Sequence, residues 1–126
     1  TWFQKQNNQF LLRDWKHDKP LNVPFHMGCF MFFRNTILQE VGGFDERFFM
    51  YMEDIDLTRR VHRKAKTLFW PAITIVHNHQ RASYKNRRLL KIHIQSAIRY
   101  FNKWGWLVDK ERTKWNQMVM KEINKQ

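Results

Sequence analysis

The chain has 126 residues, of which 43% are hydrophobic and 16% aromatic, and its formal net charge is +12. This composition is too apolar for a disordered tail, and the length suits a single domain, residues 1–126, with its own core. No apolar run approaches the roughly 18 residues of a membrane-spanning helix. A single cysteine, Cys29, excludes an internal disulfide and a cysteine-rich zinc site. The apolar neighbours of Cys29 predict a buried thiol.

The positive charge is concentrated in one part of the chain. Residues 57–108 contain no Asp or Glu but many Arg and Lys. Such a density of one sign attracts polyanions, such as nucleic acid, anionic lipid headgroups or phosphorylated substrates. The alternative is a surface that only keeps the protein soluble. The chain starts with Thr1 and shows no signal-peptide pattern. We therefore interpret the chain as a piece cut from a longer protein.

The first third of the chain predicts a helix or ordered loop over residues 1–20, a buried strand over residues 26–34 and then a short helix. The strand is indicated by the run HMGCFMFFR, in which Gly28 would let another backbone or a ligand approach closely. The sequence NTILQEVGGF predicts a helix with Asn35 as its N-cap, ended by Gly42 or Gly43.

The remainder predicts three more helices and two short strands. A helix should begin at Glu53 or Asp54 and run to about residue 64, followed by strands over residues 67–70 and 73–77. An amphipathic helix over residues 86–105 should pack its apolar side on the sheet, and Asp109 should cap a last helix over residues 110–124. The apolar side of the amphipathic helix is formed by Leu90, Ile94, Ala97, Ile98 and Phe101. The fold class is therefore α/β or α+β.

The segment FDERFFMYMEDIDLTRR contains a candidate catalytic group. Glu53 and Asp54 start a helix, where unpaired N–H groups and the macrodipole favour ionised carboxylates. A carboxylate there can act as a general base toward a substrate hydroxyl, with the preceding aromatic residues as an apolar wall. The alternative is capping alone. Asp56 lies four residues before Arg60, the spacing of an ion pair that contributes roughly 0.2–0.5 kcal/mol on a helix surface.

Three segments carry a family resemblance that covers residues 24–106. They are GCFMFFRNTILQEVGGFDERFFMYMEDIDLTRRV, WPAITIVHNHQRAS and SAIRYFNKWGW. Together they resemble the carboxyl-terminal half of family 2 inverting glycosyltransferases, particularly the rhamnosyltransferase-like enzymes of bacterial surface polysaccharide synthesis. The resemblance implies the α/β class, as the C-terminal portion of a GT-A fold with a short mixed sheet flanked by helices.

The resemblance also implies roles for individual residues. Asp54 matches the general base that deprotonates the acceptor hydroxyl for attack on a nucleotide-diphospho-sugar. Glu53 matches an acceptor-binding carboxylate, and His77 a ligand of a divalent metal, Mg or Mn, or of the diphosphate. A lone histidine is more often a packed or surface residue, which is the alternative for His77, and His79 is a rival two positions away. Further acceptor contacts are expected from Gly28, Tyr51 and Trp70, and diphosphate contacts from Arg81, Ser83 and Lys85, unless that loop is simply solvated.

The resemblance divides the chain into two regions and implies that the donor-binding half of the enzyme is absent from it. Residues 24–84 are expected to form the acceptor and catalytic-base region, and residues 86–126 a C-terminal helical region. No D-x-D motif or nucleotide-binding half is visible, so we expect the 126-residue chain alone to transfer no sugar. The expected acceptor is a saccharide or a lipid-linked saccharide. The expected location is the cytoplasm, either free or peripheral at the inner face of the plasma membrane.

Two non-catalytic functions remain as alternatives. The basic helix that follows Asn86, with Trp104 and Trp106 at its end, could lie on an anionic membrane. A nucleic-acid-binding module would share the charge and the aromatic content. No helix-turn-helix, zinc-finger or RRM signature supports the second alternative, and the acidic motif would repel a phosphate backbone.

Overall fold

A computed structural model describes Leu12, residues 15–78 and residues 86–125. Two short strands pair antiparallel, with Leu21 opposite Phe69 and Asn22 opposite Leu68. The described part is thus a mixed structure of helices and one small sheet, as the α/β class predicted. Most of the element predicted at residues 1–20 lies outside the described residues. The elements are β1 Leu21–Asn22, α1 Asn35–Val41, α2 Glu53–His62, β2 Leu68–Phe69, α3 Arg87–Trp104 and α4 Lys110–Ile123.

Local signals place the helix ends. Gly42, with φ +78°, ends α1 in the left-handed conformation that glycine adopts at little cost. The Asn86 side chain accepts a hydrogen bond from the Arg88 N–H at the start of α3, which ends at Gly105. Asp109 caps α4 in the same way. These predictions are confirmed, except that Arg34 rather than Asn35 holds the N-cap position of α1 and provides no side-chain cap.

Two predicted strands are wrong. Residues 26–34 form turns and irregular structure, with Phe32 91% exposed, and Cys29 is exposed rather than buried. Residues 73–77 are likewise irregular, and Val76 is almost fully exposed. Among the described residues, β1 and β2 pair only with each other, so these apolar runs have no neighbouring strand to which their backbone groups could bond.

A small apolar core lies between the sheet and α4. It contains Trp15, Leu21, Val23 and Val119, all buried, with partly buried side chains packed against them from β2 and from both ends of the chain. Val119 comes from α4, so burial of this cluster fixes the last helix against β1. The core is modest in size, and α2 and α3 bury further apolar side chains outside it, namely Leu57, Val61 and Tyr100.

The fully buried carboxylate of Asp56 connects α2 to α3. Its Oδ2 accepts a hydrogen bond from Arg60 Nε at 2.8 Å, and its Oδ1 accepts one from Trp104 Nε1 at 2.8 Å. Lys103 Nζ forms an ion pair with the same Oδ1 at 2.6 Å. The predicted pair between Asp56 and Arg60 is confirmed. It is buried rather than on the surface, because α3 covers this side of α2.

A second buried ion pair connects α2 to α4. Arg59 is 4% exposed and donates to both carboxylate oxygens of Asp109, at 2.6 and 2.7 Å, and to Glu111 at 2.9 Å. Its guanidinium lies 4.1 Å from the centre of the Trp104 ring. Burial by itself would lower the pKa of Arg59. The hydrogen bonds from Arg59 to Asp109, Tyr100 and Glu111 have a larger and opposite effect, so the pKa is raised overall. Arg59 therefore remains charged and holds the residue that caps α4.

The orientation of α3 differs from the prediction. Its buried residues are Ser96 and Tyr100, whereas Leu90, Ile94 and Ile98 are 46%, 53% and 42% exposed. Polar contacts select the inner side, including the bond from Ser96 Oγ to the backbone oxygen of residue 50 at 2.7 Å. Neither α3 nor any other helix of the described residues is both long enough and apolar enough to span a bilayer.

The backbone at the start of α2 is strained. Tyr51 and Met52 have φ values of +67° and +65°, a left-handed conformation that costs non-glycine residues roughly 1–2 kcal/mol each. Such strain persists only where the surrounding contacts determine it, and it concentrates at functional sites. Here it precedes Glu53 and Asp54 and sets the direction in which α2 begins.

We expect Asp56→Asn to destabilise the protein by about 3–5 kcal/mol, because Arg60 and Lys103 would lose their buried counter-charge. The matched control is Glu40→Gln, which removes an exposed ion pair with Lys64 of 2.9 Å and should cost less than about 1 kcal/mol. Urea denaturation followed by circular dichroism measures both changes. Equal effects of the two substitutions would show that the Asp56 cluster does not hold α2 and α3 together.

We also expect Met52→Gly to be more stable than Met52→Ala by about 0.5–1 kcal/mol. Relief of about 1–2 kcal/mol of left-handed strain should exceed the ~0.4–1 kcal/mol of extra chain entropy that glycine loses. Both substitutions remove the methionine side chain beyond Cβ, so their difference in the free energy of unfolding isolates the backbone. An alanine variant as stable as the glycine variant would argue against strain at this position.

Candidate functional site

The structure brings the predicted base Asp54 together with Gly28. The Gly28 N–H donates to Asp54 Oδ2 at 2.9 Å, and the Ile55 N–H donates to Oδ1 at 2.8 Å. A Cβ atom at residue 28 would lie 3.1 Å from the Asp54 Cβ and 3.3 Å from Oδ2. The close approach predicted at Gly28 is therefore present, and it is made by the carboxylate. A contact between Gly28 and an acceptor stays a prediction.

These two bonds leave Asp54 suited to proton transfer. Each carboxylate oxygen accepts one backbone hydrogen bond and retains a further lone pair. The group is half-buried, so a ligand can reach it, and it lies in the first turn of α2, where the helix dipole favours the anion. Asp56 differs, because both its oxygens are occupied and its side chain is inaccessible. Of the two aspartates, Asp54 alone can meet a substrate hydroxyl.

Glu53 presents an oxygen that its surroundings do not satisfy. Its Oε2 is buried and has no hydrogen-bond partner among the described residues. Burial raises the pKa of Glu53 above its ordinary value, a backbone hydrogen bond opposes this, and the charge of Asp54 adds to the increase. A buried carboxyl oxygen without a partner costs free energy unless a ligand or water satisfies it. This oxygen can accept a hydrogen bond from a ligand hydroxyl.

The aromatic residues before Glu53 separate into buried and exposed groups. Phe48 is buried, whereas Phe44 and Phe49 are exposed. The Tyr51 ring stacks on His93 of α3, with 4.4 Å between ring centres and an angle of 17°. The predicted apolar wall is therefore available to a ligand only in part, and Tyr51 fixes the segment before Asp54 to α3.

Two of the remaining predicted site residues, Trp70 and His77, lie in the described part of the chain. Trp70 follows β2 and is exposed, and no hydrogen bond or ring contact joins it to Asp54 in the described part of the chain. His77 is exposed and lies in irregular structure rather than at a strand end. The predicted diphosphate contacts, together with the alternative His79, lie outside the described residues, namely Arg81, Ser83 and Lys85.

The described residues do not form a complete metal site. Within residues 15–78 and 86–125, no group of three or more His, Cys, Asp and Glu side chains could hold a metal ion. A site for Mg or Mn usually needs several oxygen ligands. The divalent metal that the family resemblance implies therefore stays a prediction, and no chemical step below depends on it.

Sequence reasoning missed the carboxylate of Asp45. It accepts hydrogen bonds from Arg47 at 2.6 Å and from Lys103 at 2.7 Å. The hydrogen bonds from Arg47, more than those from Lys103, hold the pKa of Asp45 well below its usual range. The turn between Asp45 and Arg47 is typical of Asp, but Lys103 is 58 residues away and no local pattern predicts it. Asp45 and Lys103 anchor the aromatic segment to α3.

Comparison with known proteins shows partial similarity to rhamnosyltransferases. The N-acetylglucosaminyl-diphospho-decaprenol L-rhamnosyltransferase of Mycobacterium tuberculosis (strain ATCC 25618 / H37Rv) is 38% identical over 52 residues, which cover 40% of this chain and 17% of that protein. Rhamnosyltransferase WbbL of Escherichia coli (strain K12) is 36% identical over 81 residues, which cover 62% of this chain and 30% of that protein. The chain thus spans less than a third of the length of these curated relatives.

Comparisons of two other kinds gave no match. No family model matches the chain, and no solved structure matches it. The similarity to the relatives extends over 52 to 81 residues at 36–38% identity. It confirms the resemblance that the sequence motifs indicated, namely that to rhamnosyltransferase-like glycosyltransferases.

Proposed function

We propose that this chain is the acceptor-binding and catalytic-base part of a family 2 glycosyltransferase with a GT-A fold. One observation carries the proposal: the Asp54 carboxylate is held by the Gly28 and Ile55 N–H groups, and the preceding residue, Glu53, has a buried oxygen without a partner among the described residues. The partial similarity to two rhamnosyltransferases supports sugar transfer as the reaction. The whole enzyme would use a nucleotide-diphospho-sugar donor.

In the proposed reaction Asp54 acts as the general base. A hydroxyl of the acceptor gives its proton to an Asp54 oxygen while the hydroxyl oxygen attacks the anomeric carbon of the donor sugar. A new bond forms between that oxygen and the anomeric carbon, and the bond from this carbon to the nucleotide diphosphate breaks. The diphosphate leaves with the electron pair, and attack from the opposite side inverts the anomeric centre.

Glu53 has the proposed role of orienting the acceptor. Its free Oε2 would accept a hydrogen bond from a second acceptor hydroxyl, which satisfies the buried oxygen and aligns the attacking hydroxyl with Asp54. Gly28, Tyr51 and Trp70 would complete the acceptor surface within residues 24–84. The acceptor would be a saccharide or, as the name of the M. tuberculosis relative specifies for that protein, a lipid-linked saccharide diphosphate.

The donor diphosphate would be bound mainly by cationic groups. Arg81, Ser83 and Lys85 are the proposed contacts, because guanidinium, hydroxyl and ammonium groups donate to phosphate oxygens. His77 is proposed to contribute to the diphosphate or to a divalent metal whose other ligands lie outside the described residues. We place the reaction in the cytoplasm in the bacterial synthesis of surface polysaccharide.

In the enzyme that contains this chain, Asp54→Asn should lower the rate of sugar transfer by roughly 10²- to 10⁴-fold, the usual contribution of a positioned general base. The asparagine keeps the size of the side chain but can accept only one of the two backbone N–H bonds, so the melting temperature should fall while the variant stays folded, which circular dichroism checks. Glu46→Gln is the matched control, since Glu46 is an exposed carboxylate of the same segment, and it should leave transfer unchanged. Transfer near the wild-type rate in the Asp54 variant would refute the proposed mechanism.

A further inference from the structure

We propose that the outward side of α3 is a docking surface for an anionic lipid bilayer. Its apolar stripe comprises Leu90, Ile94, Ile98, Phe101 and Trp106, and its cationic flank comprises Arg87, Arg88 and Lys91. The inference rests on exposure, continuity and charge, and does not depend on the chemistry proposed for Asp54.

The apolar stripe follows one line along α3. Leu90, Ile94 and Ile98 recur every four residues, so their side chains lie above one another on one side of the helix. All three are at least 42% exposed. The opposite side is occupied, because Ser96 and Tyr100 are buried there. The exposed stripe is therefore a regular, unpartnered surface of the described fold rather than a few scattered apolar residues.

The stripe continues beyond the end of α3. Trp106 Nε1 donates to the Asn102 side-chain oxygen at 2.8 Å, and its ring centre lies 5.2 Å from that of Phe101. These contacts hold the indole against the last turn of the helix. Leu107 and Val108 follow and are 93% and 74% exposed. An indole with a polar N–H beside exposed aliphatic groups is typical of residues at a membrane interface.

The charge of α3 complements an anionic surface. The helix contains no Asp or Glu. Lys91 precedes Ile94 by three residues and Ile98 by seven, so the ammonium group belongs to the same side as the stripe. None of the ion pairs formed among the described residues involves the cationic flank. These three cations are thus available to external phosphate groups.

An anionic bilayer matches this combination of apolar and cationic groups better than a protein or a nucleic acid does. An interfacial helix buries its aliphatic groups at the level of the headgroups while Lys and Arg extend along the surface to lipid phosphates. A protein core placed on the stripe would have to bury Arg87 and Lys91 as well, at a cost in desolvation. Single-stranded nucleic acid is bound by stacking of successive bases on aromatic side chains. The stripe has aromatic rings only at one end, Phe101 and Trp106, and its other three residues are aliphatic.

Docking through α3 would also position the candidate site. The Tyr51 ring stacks on His93 of α3, and Ser96 bonds to the backbone of residue 50. The segment that leads into Asp54 is therefore attached to the same helix that would contact the membrane. If the proposed function holds, this arrangement suits an acceptor whose saccharide is carried by a membrane lipid.

The test is co-sedimentation of the full-length protein with two kinds of vesicle, without any sugar donor. One contains phosphatidylcholine and phosphatidylglycerol in equal parts, and the other contains phosphatidylcholine alone. We expect binding to the anionic vesicles only, weakened by high salt. The double variant Arg87→Glu and Lys91→Glu should bind at least ~25-fold more weakly, since each lysine or arginine near an anionic surface contributes roughly fivefold.

Two further variants separate charge from apolar contact. The matched control Lys121→Glu and Lys125→Glu makes the same change in net charge at exposed positions on and after α4, and should bind like the wild type. Replacing the stripe residues by Ile94→Gln and Ile98→Gln should weaken binding while its dependence on salt is retained. Circular dichroism checks that each variant is folded.

Several outcomes would overturn the proposal. They are absence of binding to anionic vesicles, equal binding to both kinds, or equal loss in the control variant. A thiol introduced by Ile94→Cys in a Cys29→Ser background should react with a soluble maleimide in the full-length protein. Protection before vesicles are added would mean that another part of the chain covers the stripe. Tighter binding to a short nucleic-acid duplex than to vesicles would assign the surface to nucleic acid instead.

Because no sugar donor is used, vesicle binding and sugar transfer can fail separately. A variant of the cationic flank that loses membrane binding but transfers to a water-soluble acceptor would leave the Asp54 mechanism intact. Loss of transfer in Asp54→Asn, with vesicle binding unchanged, would leave the docking surface intact.

Discussion

The structure depends on charged groups buried along one side of α2. Asp56 accepts hydrogen bonds from Arg60 and Trp104 and forms an ion pair with Lys103. Arg59, three residues later, binds Asp109 through both carboxylate oxygens. Buried charges are costly, and their cost is offset only where partners and geometry are nearly complete. Here they are, and the two clusters fix α2 against α3 and α4. With few apolar residues fully buried, this network does much of what a larger core does in other domains.

The same network separates two aspartates that lie close together in sequence. Asp56 faces the helices, where its oxygens are occupied and solvent is excluded. Asp54 lies two residues earlier, on another side of α2, and is held by backbone N–H groups from residue 28 and from its own helix. The strained backbone at Tyr51 and Met52 sets the start of α2. The strong ion pairs thus make a rigid support, and the carboxylate that can meet a ligand is the one without a cationic partner among the described residues.

The polar network also explains why α3 exposes its apolar side. Lys103, Trp104 and Ser96 must face α2 and the segment before it to make their hydrogen bonds. The residues on the opposite side, including Ile94 and Ile98, then point away from the fold. The helix is amphipathic, but hydrophobic burial does not determine its orientation within the described part. The surface left outside combines aliphatic groups with cations, and this combination connects the fold to a membrane in our proposal.

The sequence alone determined the features that depend on near neighbours. Helix ends at Gly42, Asn86, Gly105 and Asp109 follow from caps and left-handed glycine, which are formed within a few residues, and Gly28 indicated a close approach that Asp54 makes. Tertiary structure decided which apolar runs become strands, which side of α3 is buried, and which charges pair. Arg59 and Asp109 are 50 residues apart, and Lys103 and Asp45 are 58 apart. No local sequence pattern encodes such pairs, because the two residues meet only when the chain has folded. Exclusion of water from the folded protein then strengthens the electrostatic attraction between the paired charges.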